Sequence, residues 1–124
     1  MTLPMPTVDQ LVQVFRERNW TPTTGAGGCV PDNVVAGRCC AVPALLAIAG
    51  EPLDEFEEPQ DLYDRARELY GEVAADVYLG FDATNEHDFA RRTGNLSPHR
   101  APWAKLGRDL AKALGLHAPV QEEA

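Results

Sequence analysis

Residues 40–50 read Cys40-Ala41-Val42-Pro43-Ala44-Leu45-Leu46-Ala47-Ile48-Ala49-Gly50. This stretch predicts a helix from residue 39 or 40 to residue 49, because Pro43 falls in the first turn, where proline is tolerated, and Gly50 supplies a stop. A helix that is apolar nearly all round is usually the buried centre of a helical bundle. We therefore expect Leu45 and Leu46 to lie in the core.

The segments on either side of this stretch also carry helical spacing and cap signals. The first helix begins at Thr7, whose hydroxyl can form a capping box with Gln10. Further helices are predicted over residues 59–70, about 73–81, 84–92 and 102–114. No segment shows convincing strand alternation. The sequence thus predicts an all-α, single-domain bundle of about five helices over residues 1–117, followed by a frayed C-terminal tail at 118–124.

Residues 21–38 interrupt this helical pattern and contain the run Gly25-Ala26-Gly27-Gly28. Such a run disfavours regular structure, so a long loop is expected. A small β-hairpin within residues 28–38 is the alternative, with Cys29-Val30 and Val34-Val35 as its arms. Loops of this length inside a compact domain are more often functional than not.

Composition limits the kind of protein this chain can be. Its 124 residues fit one domain, and its net charge of −8 disfavours binding to nucleic acid or to anionic membranes. The longest apolar stretch is much shorter than the ~20 residues needed to span a bilayer, and the N-terminus lacks the features of a secretory signal. Acids predominate in residues 51–88 and bases in residues 89–117, so the two segments could attract each other. A cytoplasmic protein is expected.

The three cysteines are the residues with the clearest chemical potential. Their odd number, without an export signal, favours reduced thiols over a disulfide framework. Cys40 stands where the loop enters the apolar helix, and unpaired amides at a helix start favour a thiolate. One hypothesis is therefore a cysteine-dependent hydrolase or transferase with Cys40 as nucleophile. His87 or His99 would be its base, and the orienting residue would be Asp82, Asn85 or Asn95. The bland alternative is that Cys39 and Cys40 are small buried core residues, with Cys29 the most accessible thiol.

A zinc-stabilised binding module is a third hypothesis. It would combine Cys29, Cys39 and Cys40 with His87 or His99. The spacing argues against it, because structural zinc sites usually take ligands in pairs separated by two to four residues, and adjacent cysteines bind one ion with difficulty. We therefore predict no metal and no cofactor.

Three islands of the sequence resemble an uncharacterised family of small bacterial proteins. In that family, a Trp-Thr precedes a Cys-Ala-x-Gly-Ala-Leu helix start and a later Trp-Asn-Asp. The matching islands here are Trp20-Thr21, Cys40-Ala41-Val42-Pro43-Ala44-Leu45 and Gly80-Phe81-Asp82. Pro43 replaces the family's glycine, and Phe81-Asp82 matches its Trp-Asn-Asp only in part. The resemblance carries no known activity, but it implies that Trp20, Cys40 and Asp82 lie near one another.

These observations favour a small accessory protein that acts by binding another protein or by self-association. Arginine outnumbers lysine by nine to two and alanine is abundant, which suggests a GC-rich bacterial or phage genome. Neither nucleic acid nor a membrane is an expected partner.

Overall fold

The computed structural model describes residues 2–116. These residues form seven α-helices and one parallel sheet of two short strands. The helices are α1 (Val8–Glu17), α2 (Pro31–Val35), α3 (Ala41–Ile48), α4 (Pro59–Tyr70), α5 (Val77–Asp82), α6 (Glu86–Thr93) and α7 (Ala101–Ala113). The strands are β1 (Thr21–Pro22) and β2 (Arg38–Cys39), and 3₁₀ turns cover Ala26–Cys29, Leu53–Glu55 and Ala74–Asp76. The predicted all-α fold is confirmed. The predicted tail, residues 118–124, lies outside the described residues.

Helix α3 is the centre of the fold, as its sequence predicts. Every residue from Ala41 to Ala47 is buried, and Leu45 and Leu46 have no exposed surface. Helices α1, α4 and α5 pack against it. The Tyr70 hydroxyl donates a hydrogen bond of 2.7 Å to the Leu45 carbonyl oxygen, which fixes the end of α4 on this buried helix. Within residues 2–116 no helix combines the length and apolar character that crossing a membrane requires.

Local capping defines several helix starts. The Thr7 hydroxyl accepts from the Gln10 amide at 3.1 Å, and the Gln10 side chain accepts from the Thr7 amide at 2.9 Å, so the predicted capping box is confirmed. Helix α6 begins at Glu86, and neither Asp82 nor Thr84 caps it. The cap is Asn85, whose side-chain oxygen accepts from the Asp88 amide at 2.8 Å.

Helices α5 and α7 cross backbone to backbone through two glycines. A Cβ atom at Gly80 would overlap the Ala104 carbonyl oxygen, and one at Gly107 would overlap the Val77 carbonyl oxygen. The sequence pattern marks Gly80 as a weak point near the end of a helix. Its physical role is to allow this close approach of α5 to α7.

Residues 21–40 are neither a structureless loop nor a hairpin, so the hairpin proposed for residues 28–38 is wrong. Pro31 begins a helix instead, since proline is well suited to a first helical position. The strands on either side of this helix are parallel, with Thr21 opposite Arg38. Gly37, with φ of +89°, makes the turn from α2 into β2, a conformation that side chains disfavour.

Candidate functional site

The glycine-rich segment folds tightly against the N-terminus of α3. The Cys40 amide donates a hydrogen bond of 3.0 Å to the Gly28 carbonyl oxygen, and the Thr23 amide donates one of 2.8 Å to the Cys39 carbonyl oxygen. A Cβ atom at Gly28 would lie 2.7 Å from the Cys40 Cβ and would also overlap the Thr23 carbonyl oxygen. Glycine is therefore required at position 28 for the segment to approach the helix this closely.

This approach brings two sulfur atoms together. The Cys29 Sγ and Cys40 Sγ atoms are 2.7 Å apart, closer than unbonded sulfur atoms normally come. Neither cysteine is part of a disulfide bond, and both are buried, with relative exposures of 2% and 1%. A disulfide bond is about 2.05 Å long, so a small displacement would join them. We call Cys29 and Cys40 the sulfur pair.

The two thiols of the sulfur pair differ in acidity. The hydrogen bond with Cys40 has the largest effect on the pKa of Cys29 and lowers it. Burial, the next largest influence, raises this pKa, and a hydrogen bond with the Tyr63 hydroxyl lowers it further. Burial raises the pKa of Cys40 well above its usual range, and the hydrogen bond to Cys29 adds to this effect. Cys29 is therefore the member of the pair that more readily carries the thiolate.

Asp82 and Tyr63 complete the surroundings of the sulfur pair. Asp82, the last residue of α5, accepts a hydrogen bond of 3.1 Å from the Gly25 amide and so ties the glycine-rich segment to that helix. Its negative charge raises the pKa of both thiols. Tyr63 lies on α4, and burial together with its hydrogen bond to Cys29 raises its pKa. The site thus draws on the segment 23–29, α3, α4 and α5.

Cys39 faces away from the sulfur pair. Successive side chains of a strand point to opposite faces, and Cys39 is the last residue of β2 whereas Cys40 follows it. Its sulfur donates a hydrogen bond of 3.7 Å to the Val34 carbonyl oxygen. Burial raises the pKa of Cys39 to about 12, so this thiol is a structural core residue.

The predicted catalytic set is brought together in part. The charge of Asp82 acts on Cys40, whereas His87 is exposed in the first turn of α6. Within residues 2–116, no histidine is among the groups that shift the Cys40 pKa. The second candidate base, His99, is also exposed, and its ring nitrogen lies 3.2 Å from the Ser97 hydroxyl.

Two sequence-based expectations about the thiols are corrected. A hydrogen bond from the Val42 amide lowers the Cys40 pKa, as a helix start should, but desolvation of the fully buried thiol outweighs it. Cys29 is not an accessible loop residue, because the segment around it packs against α3. No feature of the sequence distinguishes Tyr63 from an ordinary helix residue. Gly28 belongs to a run that suggests a flexible loop, whereas in the structure it allows the segment to pack closely against Cys40.

The zinc hypothesis finds no support in the described part of the chain. Within residues 2–116, no three His, Cys, Asp or Glu side chains are grouped so that they could hold a metal ion. The reason is local, since Cys39 and Cys40 point to opposite sides of the strand end and both histidines are exposed.

A separate groove runs between α6 and α7. Its volume is about 600 Å³, and it is lined by Glu86, Phe89, Thr93, Pro98, Ala101, Pro102, Lys105, Arg108, Asp109 and Lys112. Arg108 is buried in its floor, where the guanidinium packs 5.2 Å from the centre of the Phe89 ring and pairs with Glu86. The rim carries the exposed amines of Lys105 and Lys112.

Two of the three islands that resemble the uncharacterised bacterial family lie on neighbouring helices, since α3 packs against α5 and the charge of Asp82 raises the pKa of Cys40. The third is linked to them through aromatic contacts. The Trp20 ring lies edge-on to Phe15 at 5.6 Å, and Phe15 stacks on Phe81 at 6.4 Å. Comparison with protein-family models, with curated proteins and with solved structures gives no match to this chain. The site is therefore defined by geometry and chemistry alone.

Proposed function

We propose that this protein is a thiol–disulfide switch in which Cys29 and Cys40 are oxidised to a disulfide and reduced back to thiols. The observation that carries the proposal is the 2.7 Å separation of two sulfur atoms that lie eleven positions apart in the chain. Free buried cysteines usually behave as small apolar residues and need no sulfur neighbour. Here a tight glycine contact and a tyrosine hydroxyl are both arranged around the pair.

The reaction is a two-electron oxidation. Each thiol loses one proton, one sulfur–sulfur bond forms, and the oxidant receives two electrons and the two protons. Reduction by a dithiol reverses each of these changes. In the cytoplasm, where we place the protein, thiols are kept reduced and disulfides are usually transient, so the dithiol is the resting form and the disulfide the signal.

Oxidation with diamide tests this proposal, because diamide takes up two electrons and two protons without transferring oxygen. We expect the folded, reduced protein to lose two hydrogen atoms by intact mass, and peptide mapping to join Cys29 to Cys40. Dithiothreitol should restore the original mass. Cys39→Ala is the matched control and should form the same bond, whereas Cys29→Ala should not. A mass left unchanged by diamide and by hydrogen peroxide alike, or a bond that involves Cys39 in the folded protein, would refute the switch.

Self-association is a second candidate function, favoured by the groove between α6 and α7. The bases that line the groove, Lys105, Arg108 and Lys112, outnumber its acids, Glu86 and Asp109. Residues 51–85 of the chain are strongly acidic, so the groove of one copy and this segment of another have opposite net charges. Attraction of this kind weakens with salt, because the screening length falls to about 10 Å at 0.1 M.

Sedimentation tests this second candidate. We expect a larger species at low salt that dissociates at high salt, and we expect Thr93→Arg, which would obstruct the groove, to prevent it. Gln13→Arg, on the exposed face of α1, adds the same charge elsewhere and should leave association intact. A monomer at every salt concentration would exclude self-association.

A further inference from the structure

The two members of the sulfur pair have different surroundings. Cys29 is hydrogen-bonded to the Tyr63 hydroxyl on α4, whereas Cys40 accepts a hydrogen bond from the Val42 amide at the start of α3. Cys40 sits at the N-terminus of α3 beneath the glycine-rich segment and is fully enclosed. Cys29 belongs to the segment 23–29, which also supplies Thr24 to the wall of a neighbouring cavity. Its pKa is the lowered one of the pair, so Cys29 reaches the nucleophilic thiolate form more readily and reacts first.

Burial of the sulfur pair limits the size of the oxidant that can reach it. Cys29 is 2% exposed and Cys40 is 1% exposed. A small cavity of about 160 Å³ lies beside the site, lined by Thr24, Asp82, Ala83, Thr84 and Leu116. Asp82 connects the two features, because its charge acts on both thiols and its carboxylate holds the Gly25 amide.

Common thiol oxidants differ greatly in size relative to a cavity of about 160 Å³. One water occupies about 30 Å³ of the liquid, so hydrogen peroxide, with two oxygen atoms, needs about twice that volume. Glutathione disulfide consists of two tripeptides and exceeds the cavity. It would also have to place its own sulfur against a buried thiol, which requires the segment 23–29 to open.

We propose that the oxidant is a small hydroperoxide such as hydrogen peroxide, which reacts at Cys29 before Cys40 closes the disulfide, an inference that rests on the switch proposed above. The Cys29 sulfur attacks one peroxide oxygen, the O–O bond breaks, and the other oxygen leaves as hydroxide and becomes water. Cys29 is then a sulfenic acid. The Cys40 sulfur attacks it, the S–O bond breaks, and that oxygen leaves with the Cys40 proton as a second water.

The test compares hydrogen peroxide with glutathione disulfide on the folded, reduced protein at equal concentration and neutral pH. We expect peroxide to remove two hydrogen atoms from the parent and from Cys39→Ala, while glutathione disulfide leaves both unchanged over the same time. In Cys40→Ala the reaction should stop at the sulfenic acid, which dimedone labels at Cys29. In Cys29→Ala, Cys40 should remain unlabelled. Circular dichroism of each variant verifies folding, and Cys40→Ser replaces Cys40→Ala if the alanine variant unfolds.

Tyr63 is a positioning residue in this scheme, and a pH–rate profile tests its role. Tyr63→Phe removes the hydroxyl that donates to Cys29, so the midpoint of the peroxide reaction should move to higher pH. Tyr78→Phe is the matched control, since its ring packs 5.7 Å from the Tyr63 ring on the adjoining helix. We expect no shift in that variant. An unmoved midpoint in Tyr63→Phe would remove this residue from the scheme.

Three results would overturn the inference and leave the switch intact: oxidation by diamide but not by peroxide, equally fast oxidation by glutathione disulfide, and dimedone labelling of Cys40 in Cys29→Ala. Failure of every oxidant, diamide included, to join Cys29 to Cys40 would instead refute the switch itself. The two proposals therefore fail separately.

Discussion

Closing the disulfide between Cys29 and Cys40 should stabilise the fold. The bond would enclose residues 29–40, and the loop-closure entropy of a ring of about twelve residues is about 9 cal/mol/K, or about 3 kcal/mol at about 25 °C. This free energy comes from the unfolded chain, which loses conformations, since the native contacts already hold the two residues together. We therefore predict that the oxidised protein has a free energy of unfolding about 3 kcal/mol above that of the reduced protein.

Urea denaturation followed by tryptophan fluorescence measures this difference on diamide-oxidised and dithiothreitol-reduced samples. For a chain of this length, about 3 kcal/mol corresponds to a rise in Tm of about 10 °C, given an unfolding entropy of roughly 2 cal/mol/K per residue. Cys39→Ala should show the same gap between its oxidised and reduced forms. Cys29→Ala should show none.

An oxidised protein that is equally stable or less stable than the reduced one would refute this reasoning. It would mean that the bond forms only after the segment around Cys29 leaves α3, so that native contacts are lost as the loop closes. A gap of the expected size in Cys29→Ala would point instead to a different cysteine pairing.

The remaining predictions concern the scaffold. Leu45→Ala should lower the free energy of unfolding by about 2–5 kcal/mol in urea denaturation, whereas Val35→Ala, at 63% exposed, should change it by less than about 0.5 kcal/mol. Gly107→Ala should cost about 1–3 kcal/mol, because its methyl group would force α5 away from α7. Asp88 has its pKa lowered to about 2, mainly by a backbone amide, so its contribution to stability is lost as pH falls from about 4. The stability gap between the parent and Asp88→Asn should therefore shrink over that range in acid denaturation.

The helices were predictable where local chemistry decides them. The Thr7–Gln10 capping box and the apolar run of α3 both act within a few residues, and the structure has both. The cap of α6 cannot be chosen from local sequence, because three polar residues compete within 82–85. Asp82 lies at the end of the preceding helix, and the amide and hydroxyl of Thr84 donate to the Asp88 carboxylate, which leaves Asn85 as the cap.

The sulfur pair was not predictable, because it depends on a contact between distant parts of the segment 21–40. The sequence shows a glycine run and a helix start, but not that the Gly28 carbonyl oxygen accepts from the Cys40 amide. Without that contact, Cys29 appears to lie in an open loop. The pKa of Cys40 illustrates the same limit, since the effect of the helix start can be inferred from sequence whereas the burial that outweighs it cannot.

The position of the sulfur pair determines which part of the fold a disulfide would move. Helix α3 is buried along its length and packs against three other helices, so Cys40 has little freedom. Cys29 belongs to a 3₁₀ turn held by a few backbone hydrogen bonds and by Asp82. When the sulfurs join, the adjustment must fall on this turn. The Gly25 amide that Asp82 accepts from lies in the same turn region, so the change reaches the end of α5 and the surface cavity beside it. Thr24 and Asp82, which line this cavity, are therefore the residues whose positions we expect to change when the disulfide forms.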